Sequence, residues 1–338
     1  MRRERLGRLR STVLVCVGGL VVGNGQLAAQ AGSAEGPTAP AGFGVTLFAE
    51  NLGAPRGIAF GPDGWLYVTD LGGGRVLRLA DEDGDGVADT VGVFLEGLDR
   101  PSDIAEHDGQ LWIAEATRVL RVEAVGGAAD VSVDTIVDDL PADGFTSRSL
   151  VFDPSGQGFF AAIGSSCDVC REDDARRGTI VLFRLDGREP QVWARGLRNA
   201  VGLAVHPETW ELWVLDLGRD WLGDDLPPDE LNIVQRGRHY GWPYCYGARV
   251  PNPEYADPAR CDVTEVPVLT LPAHSAPLGI AFYAGEHFPG EYRGDAFVTL
   301  HGSWNRSAPA GYKVVRLHVE AGRPVSTEDF LTGWIAAG

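Results

Sequence analysis

The fold is decided by the stretch Pro55-Arg-Gly-Ile-Ala-Phe-Gly-Pro-Asp-Gly-Trp-Leu-Tyr-Val-Thr-Asp70, in which a Pro-Asp-Gly turn separates two apolar runs. An Asp-Gly pair supplies the positive φ that a tight connection between antiparallel strands needs. Both runs are apolar at neighbouring positions, which is typical of strands that are covered on both faces. The stretch therefore predicts a buried β-hairpin packed between two other layers.

This hairpin pattern recurs along the chain, and its repeats are anchored on Ile58, Ile104, Leu150, Leu203 and Ile280. The first two intervals between successive anchors are equal, and loops lengthen the last two. Units of this length, with two central apolar strands and an outer strand, are typical of β-propeller blades. Such rings have roughly four to eight blades.

The number of blades depends on the C-terminal stretch. The part of the chain after Ile280 supplies the fifth unit and the segment Glu328–Ile335, which we interpret as the approach to a sixth unit. Because no further Pro-Asp-Gly hairpin follows, we predict an all-β, six-bladed β-propeller whose sixth blade is incomplete at the C-terminus. The alternative, a five-bladed ring, leaves Phe330 to Ile335 without a role.

The N-terminus has the pattern of an export signal. A basic segment precedes the apolar run Val13–Val22, and small residues suited to cleavage follow up to Ala31. The run is too short to span a bilayer, which argues against stable membrane insertion and predicts a periplasmic or secreted protein. We therefore divide the chain into a signal peptide (1–31), a flexible leader (32–42) and a propeller domain (43–338).

The formal net charge of −18 at pH 7 argues against polyanionic partners. A protein this acidic repels nucleic acid and anionic lipid surfaces, so neither is expected to bind.

Four cysteines remain once the predicted signal is removed, namely Cys167, Cys170, Cys245 and Cys261. An even number in an exported protein indicates disulfides. A zinc site is the alternative, because Cys167 and Cys170 have ligand spacing, but the other two cysteines are further apart and lack that motif. We predict the bonded pairs Cys167–Cys170 and Cys245–Cys261.

An acidic loop has the spacing of a calcium site, because Asp81, Asp83, Asp85 and Asp89 stand at relative positions 1, 3, 5 and 9. Calcium takes about six to eight hard oxygen ligands around a flexible loop. Position 12 is Gly92, so the loop lacks the bidentate glutamate of an EF-hand. We predict a structural Ca²⁺ site at the rim, in a connection from the first blade to the second; a solvated acidic turn is the alternative.

The densest group of polar and aromatic residues comprises Arg198-Asn199, the loop Asp216–Asn232 and the stretch Tyr240–Tyr246. Aromatic faces suit sugar rings, and an arginine beside an asparagine suits an anionic cofactor that is rich in carbonyl groups. A disulfide-stapled surface loop is the alternative, but such a loop does not need this arginine and asparagine before an apolar strand. The group predicts a ligand site on one face of the propeller.

Four segments in this order resemble the sorbosone and pyranose dehydrogenase branch of the soluble PQQ-dependent sugar dehydrogenases: Gly196–Gly202, Gly218–Asn232, Tyr240–Cys245 and His301–Arg306. The resemblance covers the chain from Phe43 to the C-terminus. It implies a six-bladed propeller that holds PQQ and Ca²⁺ on one face and oxidises a sugar by hydride transfer to PQQ. It also implies an external electron acceptor, a quinone or a cytochrome.

The resemblance assigns roles to individual residues. Gly218 and Arg219 match the backbone carbonyls that hold the catalytic Ca²⁺. Arg148 follows the family pattern more loosely than the other matched positions. The positions that match the cofactor contacts are Arg148, Arg198, Asn199, His301, Trp304, Asn305 and Arg306.

One departure from the family concerns the catalytic base. The family places a histidine, which takes the proton of the substrate hydroxyl, at the position matched by Phe145. A phenyl ring accepts no proton, and general-base help is worth roughly 10²–10⁴-fold in rate. His274 and His301 are the candidate replacements, although each also suits a hydrogen-bonding role beside PQQ.

Three functions remain open on this sequence. The first is a PQQ-dependent sugar dehydrogenase, and the second, favoured by Phe145, is an impaired propeller that binds sugar or PQQ without turnover. The third is a calcium-dependent lactonase, which needs carboxylate and asparagine ligands in the central channel. The residues expected there are arginine, asparagine and tryptophan, which places the lactonase last.

Overall fold

Five antiparallel sheets of four strands each make up most of the fold in the part of the chain that the structure describes. The structure is a computed structural model, and it describes residues 20–23, 36–125, 130–255 and 257–335. A further pair of short strands, β1 (Leu20–Gly23) and β2 (Gly44–Leu47), precedes the first sheet.

Each sheet is one blade, built from strands that follow one another in the chain. The first strand of each blade is innermost, because it contacts the first strands of the neighbouring blades. The strands are, in blade 1, β3 (Pro55–Phe60), β4 (Leu66–Asp70), β5 (Arg75–Ala80) and β6 (Thr90–Glu96); in blade 2, β7 (Asp103–His107), β8 (Gln110–Ala114), β9 (Val119–Val125) and β10 (Asp130–Val137); in blade 3, β11 (Leu150–Phe152), β12 (Gly158–Ile163), β13 (Thr179–Arg184) and β14 (Gln191–Arg195); in blade 4, β15 (Ala200–Val205), β16 (Leu212–Asp216), β17 (Asp229–Val234) and β20 (Leu269–Leu271); and in blade 5, β21 (Pro277–Phe282), β22 (Ala296–Leu300), β23 (Lys313–Glu320) and β24 (Arg323–Leu331).

Blade 4 carries an insertion between its third and fourth strands. The insertion holds β18 (Cys245–Tyr246), β19 (Val250–Pro251), a 3-10 helix (Pro253–Tyr255) and the short helix α1 (Pro258–Cys261). Blade 5 has a second 3-10 turn, Gly290–Tyr292, before β22.

The hairpin that opens blade 1 forms as predicted. Phe60 pairs with Leu66, and Gly64 has a φ of 80° in the turn between them. Asp63 fixes the turn, because its Oδ1 accepts a hydrogen bond of 3.2 Å from the Trp65 amide. Asp63 and Gly64 therefore form the tight turn that the sequence predicts.

The core lies between neighbouring blades. Trp112 of blade 2 is 2% exposed, and its ring centroid is 5.3 Å from those of both Phe152 and Phe159 in blade 3. Trp213 of blade 4 is fully buried and packs against Phe282 of blade 5 at 5.1 Å. Because central strands are covered on both sides, they are apolar at successive positions.

The N-terminal segment spans the gap between blade 5 and blade 1. The amide of Thr38 donates to the carbonyl of Thr332 at 2.7 Å, and the reverse bond is 3.0 Å long. Phe43 packs on Phe330 of blade 5 with ring centroids 5.0 Å apart, while Leu52 is buried against blade 1. The segment therefore shields apolar surface on the facing sides of both blades.

The propeller prediction is confirmed, but the predicted blade count is not. Five blades are present in the described residues. The segment Glu328–Ile335, predicted as the approach to a sixth blade, has a different place in the fold. Residues up to Leu331 belong to β24, which pairs with β23, and Phe330 fills the aromatic cluster around Phe43.

The N-terminal predictions are only partly covered by the structure. Most of the predicted signal peptide and residues 32–35 of the predicted leader lie outside the described residues. In the rest of the predicted leader, Thr38 is bridged to Thr332. No helix in the described part of the chain has the length and hydropathy to cross a membrane.

Candidate functional site

The candidate site lies at one end of the propeller. In each blade the start of the first strand and the loop after the second strand share an end, because the two strands are antiparallel. Three of these loops are long: 164–178 in blade 3, 217–228 in blade 4 and 301–312 in blade 5. Side-chain hydrogen bonds tie the three loops together, and we call the surface that they form the upper face.

Arg198 connects two of these loops just before β15. Its side chain is 4% exposed, and its Nη2 donates to carboxylate oxygens of Asp168 at 2.8 Å and Asp220 at 3.2 Å. Its Nη1 donates to the carbonyl of Gly218 at 2.9 Å. A buried guanidinium is stable only when its charge and donors are paired, so these contacts hold Arg198 in one position.

Asp168 is the residue of this cluster that the sequence reasoning missed. Its Oδ1 also accepts a hydrogen bond of 2.8 Å from the amide of Asp220, and its Oδ2 lies 3.4 Å from Nη2 of Arg219. Its carbonyl accepts from Nε1 of Trp242 at 3.1 Å. The one signal in the sequence is its place inside the Cys-x-x-Cys motif, which we read only as a disulfide.

Phe145, which occupies the predicted position of the catalytic base, lies against Arg198. The guanidinium carbon of Arg198 is 4.5 Å from the centroid of the phenyl ring, a cation–π distance. Gly164 permits the approach, because a Cβ at this position would lie 2.8 Å from the Cβ of Phe145. The structure thus brings this position to the predicted cofactor arginine.

Two amide oxygens at the site are buried and have no hydrogen-bond donor among the described residues: Oδ1 of Asn199 and Oδ1 of Asn305. The amide nitrogen of Asn305 donates to Asp220 Oδ1 at 2.7 Å, which fixes the orientation of its side chain. These two oxygens are hard donors of the type that Ca²⁺ prefers, and so is the carbonyl of Gly218, which here accepts from Arg198. By their chemistry these oxygens fit a calcium ion, and a guanidinium suits the carboxylates of an anionic quinone cofactor; in this structure the Arg198 guanidinium pairs with Asp168 and Asp220.

Buried carboxylates hold the backbone at the start of β15. Asp216 accepts from the amides of Arg198 and Asn199 at 2.9 and 2.7 Å. Burial, together with the nearby charge of Glu230, raises the pKa of Asp216 to about 8. Burial likewise raises the pKa of Glu230 to about 7. Asp216 and Glu230 line one cavity, and the charge of Glu230 disfavours ionisation of Asp216, while that of Asp229 disfavours ionisation of Glu230.

This cavity extends from the upper face towards the insertion of blade 4. It is partly open to solvent. Its walls include the disulfide-linked Cys245 and three of the predicted aromatic residues. The lining residues that carry polar or aromatic side chains are Arg198, Asp216, Arg219, Glu230, Tyr240, Trp242, Tyr246 and Asn252.

The two candidate histidines have different environments. His274 is 8% exposed, and its Nε2 lies 2.9 Å from the carbonyl of Gly223, which can only accept. Nε2 therefore carries the proton, and Nδ1 is left as an acceptor 3.4 Å from Nδ2 of Asn305. His301 is exposed at the end of β22. Of these two histidines, His274 is the one connected to the Arg198 cluster, through Asn305 and Asp220.

Three other predicted cofactor contacts, Arg148, Arg306 and Trp304, have their own surroundings in this structure. Arg148 is fully buried and donates to the carbonyls of Phe145 and Pro141, so it supports the loop that carries Phe145. Burial lowers the pKa of Arg148 to about 10. Arg306 donates to the carbonyl of Asp224. Trp304 is 71% exposed on the upper face.

The acidic loop lies away from the upper face and corrects one prediction. It connects β5 to β6 within blade 1, not blade 1 to blade 2, because the fourth strand begins after Asp89. Carboxylate oxygens of Asp81, Asp83 and Asp89 lie within 4.8 Å of one another. Asp85 is outside this group, and its Oδ1 accepts from the amide of Val87 at 2.8 Å.

Both predicted disulfides are confirmed. The Cα atoms of Cys167 and Cys170 are 6.2 Å apart, and those of Cys245 and Cys261 are 5.8 Å apart. The first closes the loop around Asp168, and the second ties α1 to the aromatic stretch of blade 4. Because all four sulfurs are bonded in pairs, they do not form the alternative zinc site.

Curated relatives match most of the chain. An uncharacterised protein of Borreliella burgdorferi is 31% identical over 297 residues, which are 83% of this chain and 76% of the relative. An aldose sugar dehydrogenase of Escherichia coli is 27% identical over 295 residues, which are 74% of this chain and 76% of that protein.

Two solved structures share the fold. A family AA12 carbohydrate-active enzyme of Trichoderma reesei, in a calcium structure, has a TM-score of 0.76 at 22% identity over 88% of this chain and 87% of that chain. The holo form of the PQQ domain of a pyranose dehydrogenase from Coprinopsis cinerea has a TM-score of 0.76 at 21% identity over 89% and 87% of the two chains.

A family model described as TrAA12-like matches residues 37–334. The match begins beside Thr38, which bridges to blade 5, and includes all five blades. The chain therefore belongs to the TrAA12-like family, the family of PQQ-dependent pyranose dehydrogenases.

Proposed function

We propose that this protein oxidises a sugar with PQQ and Ca²⁺ bound at the upper face. The observation that carries the proposal is the Arg198 cluster: a buried arginine held by Asp168 and Asp220, beside two unpaired amide oxygens of the described residues. The relatives named for sugar dehydrogenation support the substrate class.

Each residue of the cluster has a role in this proposal. Arg198 would pair with a carboxylate of PQQ, and Asn199 would hydrogen-bond to the cofactor. The carbonyls of Gly218 and Arg219 would hold Ca²⁺. The adjoining loop would contribute His301, Trp304, Asn305 and Arg306. When bound, PQQ supplies the hydride acceptor and Ca²⁺ polarises its carbonyl group. The protein contributes position and a fixed electrostatic environment.

Proton removal is the step that this chain supports least. Phe145 cannot take the proton of a sugar hydroxyl. Nδ1 of His274 is able to accept a proton, but it faces Asn305 from a buried position. We therefore propose slow turnover, with His274 as the base. The second candidate function, binding of sugar or PQQ without turnover, is favoured by the same phenylalanine.

Two further assignments belong to the proposal. The two disulfides support export to an oxidising compartment, the periplasm or the exterior, where a quinone or cytochrome would accept the electrons. The three converging carboxylates of Asp81, Asp83 and Asp89 support a structural Ca²⁺ site in blade 1.

The test is reconstitution of the purified protein. PQQ and Ca²⁺ are added, and dye reduction is followed across a panel of aldoses and pyranoses. We expect slow, sugar-dependent reduction that requires both additions and is lost in Arg198→Ala but not in the exposed control Arg188→Ala. If no sugar reduces the dye although PQQ binds, the function without turnover takes its place.

A further inference from the structure

Two tryptophans on the upper face are exposed and contact each other. Trp221 of the blade 4 loop and Trp304 of the blade 5 loop are each 71% exposed. Their ring centroids are 5.5 Å apart and the ring planes are inclined by 81°. Exposed aromatic area of this size is unfavourable in water, and aromatic side chains gathered on a surface are typical of binding sites.

The pair is held in place by bonds between the two loops. Asn305 Nδ2 donates to Asp220 Oδ1 at 2.7 Å. Asn305 directly follows Trp304, and Asp220 directly precedes Trp221. The amide of Ser307 donates to the carboxylate of Asp224 at 3.1 Å. The rings therefore stand on a fixed backbone, which lowers the entropic cost of binding a ligand against them.

The surroundings of the pair select the chemistry of the ligand. Asp224 and Asp225 lie in the same loop as Trp221, and the Asp225 side chain remains 89% exposed although one of its oxygens pairs with Arg306 at 3.2 Å. Carboxylates accept hydrogen bonds from hydroxyl groups and repel anions. With a formal net charge of −18, the protein disfavours acidic ligands further. An apolar ring face with hydroxyls at its edge meets both requirements.

We propose that Trp221 and Trp304 form a platform that stacks a pyranose ring of a neutral oligosaccharide. The inference rests on the proposed function, which it deepens by naming where the sugar is held and by excluding acidic sugars. Trp221 directly follows Asp220, which pairs with Arg198, so a sugar chain stacked on the platform adjoins the Arg198 cluster.

A matched control is available in the same blade. Trp210 is 63% exposed, but it lies in the turn between β15 and β16, at the end of blade 4 opposite the upper face. Like Trp221, it has a positive φ, 59° against 66°. Replacing Trp210 with alanine therefore removes a similar exposed ring without changing the platform.

The experiment is titration calorimetry on the full protein with Ca²⁺ and without PQQ. The probes are maltotriose, cellotriose, xylotriose and trigalacturonate. We expect at least one neutral trisaccharide to bind wild type and Trp210→Ala alike, and about tenfold more weakly to Trp221→Ala and Trp304→Ala. Trp221→Phe should recover part of the affinity, and trigalacturonate should bind no variant.

Two results would overturn the platform: no binding of any neutral trisaccharide, or equal binding to wild type and Trp221→Ala. A separate PQQ titration of the wild type distinguishes the two proposals. If the trisaccharide binds and PQQ does not, the platform stands and the proposed function fails. If PQQ binds and no neutral trisaccharide does, the reverse holds.

Discussion

The contact between Asp168 and Arg198 leads to a sharp prediction about stability. Asp168→Asn removes one of two carboxylates that pair with a guanidinium whose side chain is 4% exposed. Breaking a buried ion pair costs ~3–5 kcal/mol. The Asp168 side chain is 26% exposed, and asparagine keeps an oxygen acceptor of the same shape, so the cost here is smaller. We expect a loss of about 1–3 kcal/mol in the free energy of unfolding.

The assay is equilibrium unfolding in urea at pH 7, with the disulfides intact. The control is Asp173→Asn, which removes the same charge from an exposed position of the same loop. An exposed substitution of this kind should change the free energy of unfolding by less than about 0.5 kcal/mol. If Asp168→Asn destabilises the protein no more than Asp173→Asn does, the Arg198 cluster is not held together as described.

Three further predictions follow from the site and the fold. Phe145→His should raise turnover of the reconstituted enzyme by at least about tenfold, whereas Phe145→Leu should not. Equal rates in the two variants would refute the prediction that position 145 corresponds to the catalytic base. Calcium should raise the melting temperature of wild type and of Asp85→Ala, and it should raise the melting temperature of Asp83→Ala much less. If calcium does not change the melting temperature of wild type, the loop is a solvated acidic turn and not a calcium site. Burial raises the pKa of Asp103 to about 7, so its folded state holds the proton more tightly than the unfolded state. The contribution of Asp103 to the free energy of unfolding is complete below about pH 4 and is lost as pH rises through 7. Between pH 4 and pH 8, the free energy of unfolding of wild type should therefore fall by on the order of 4 kcal/mol relative to that of Asp103→Asn. Parallel curves of stability against pH for the two proteins would contradict this.

The blades could be predicted from sequence because their cause is local. An Asp-Gly turn between two apolar runs specifies a hairpin within the short stretch Pro55–Asp70, and its repetition along the chain specifies the propeller. The first disulfide was also accessible, because Cys167 and Cys170 are close in sequence. In both cases the residues that interact are neighbours in the chain.

The composition of the site was less accessible, because its contacts join distant residues. Asp168 and Arg198 are 30 positions apart, and Asn305 reaches Asp220 over 85 positions. Only the stacking of blades 3, 4 and 5 brings them together. The resemblance supplied Arg198 and Asn199, but it could not show that a carboxylate enclosed by the first disulfide holds the arginine.

The errors have a similar origin. The segment Glu328–Ile335 contains an apolar run of the kind that opens a blade, and its pairing with β23 depends on registry that the pattern does not specify. The predicted connection from blade 1 to blade 2 by the acidic loop is wrong because the fourth strand, Thr90–Glu96, carries many exposed residues, and its sequence pattern does not mark it as part of blade 1.

Calcium-dependent binding of PQQ to the unmodified protein tests the central claim most directly. PQQ is titrated into the purified protein with Ca²⁺, then with a calcium chelator, and then into Arg198→Ala with Ca²⁺. The account predicts saturable binding at one site in the first titration and a loss of affinity of tenfold or more in the other two, about 1.4 kcal/mol for each factor of ten. Absence of saturable binding to wild type, or equal affinity for Arg198→Ala, would contradict it.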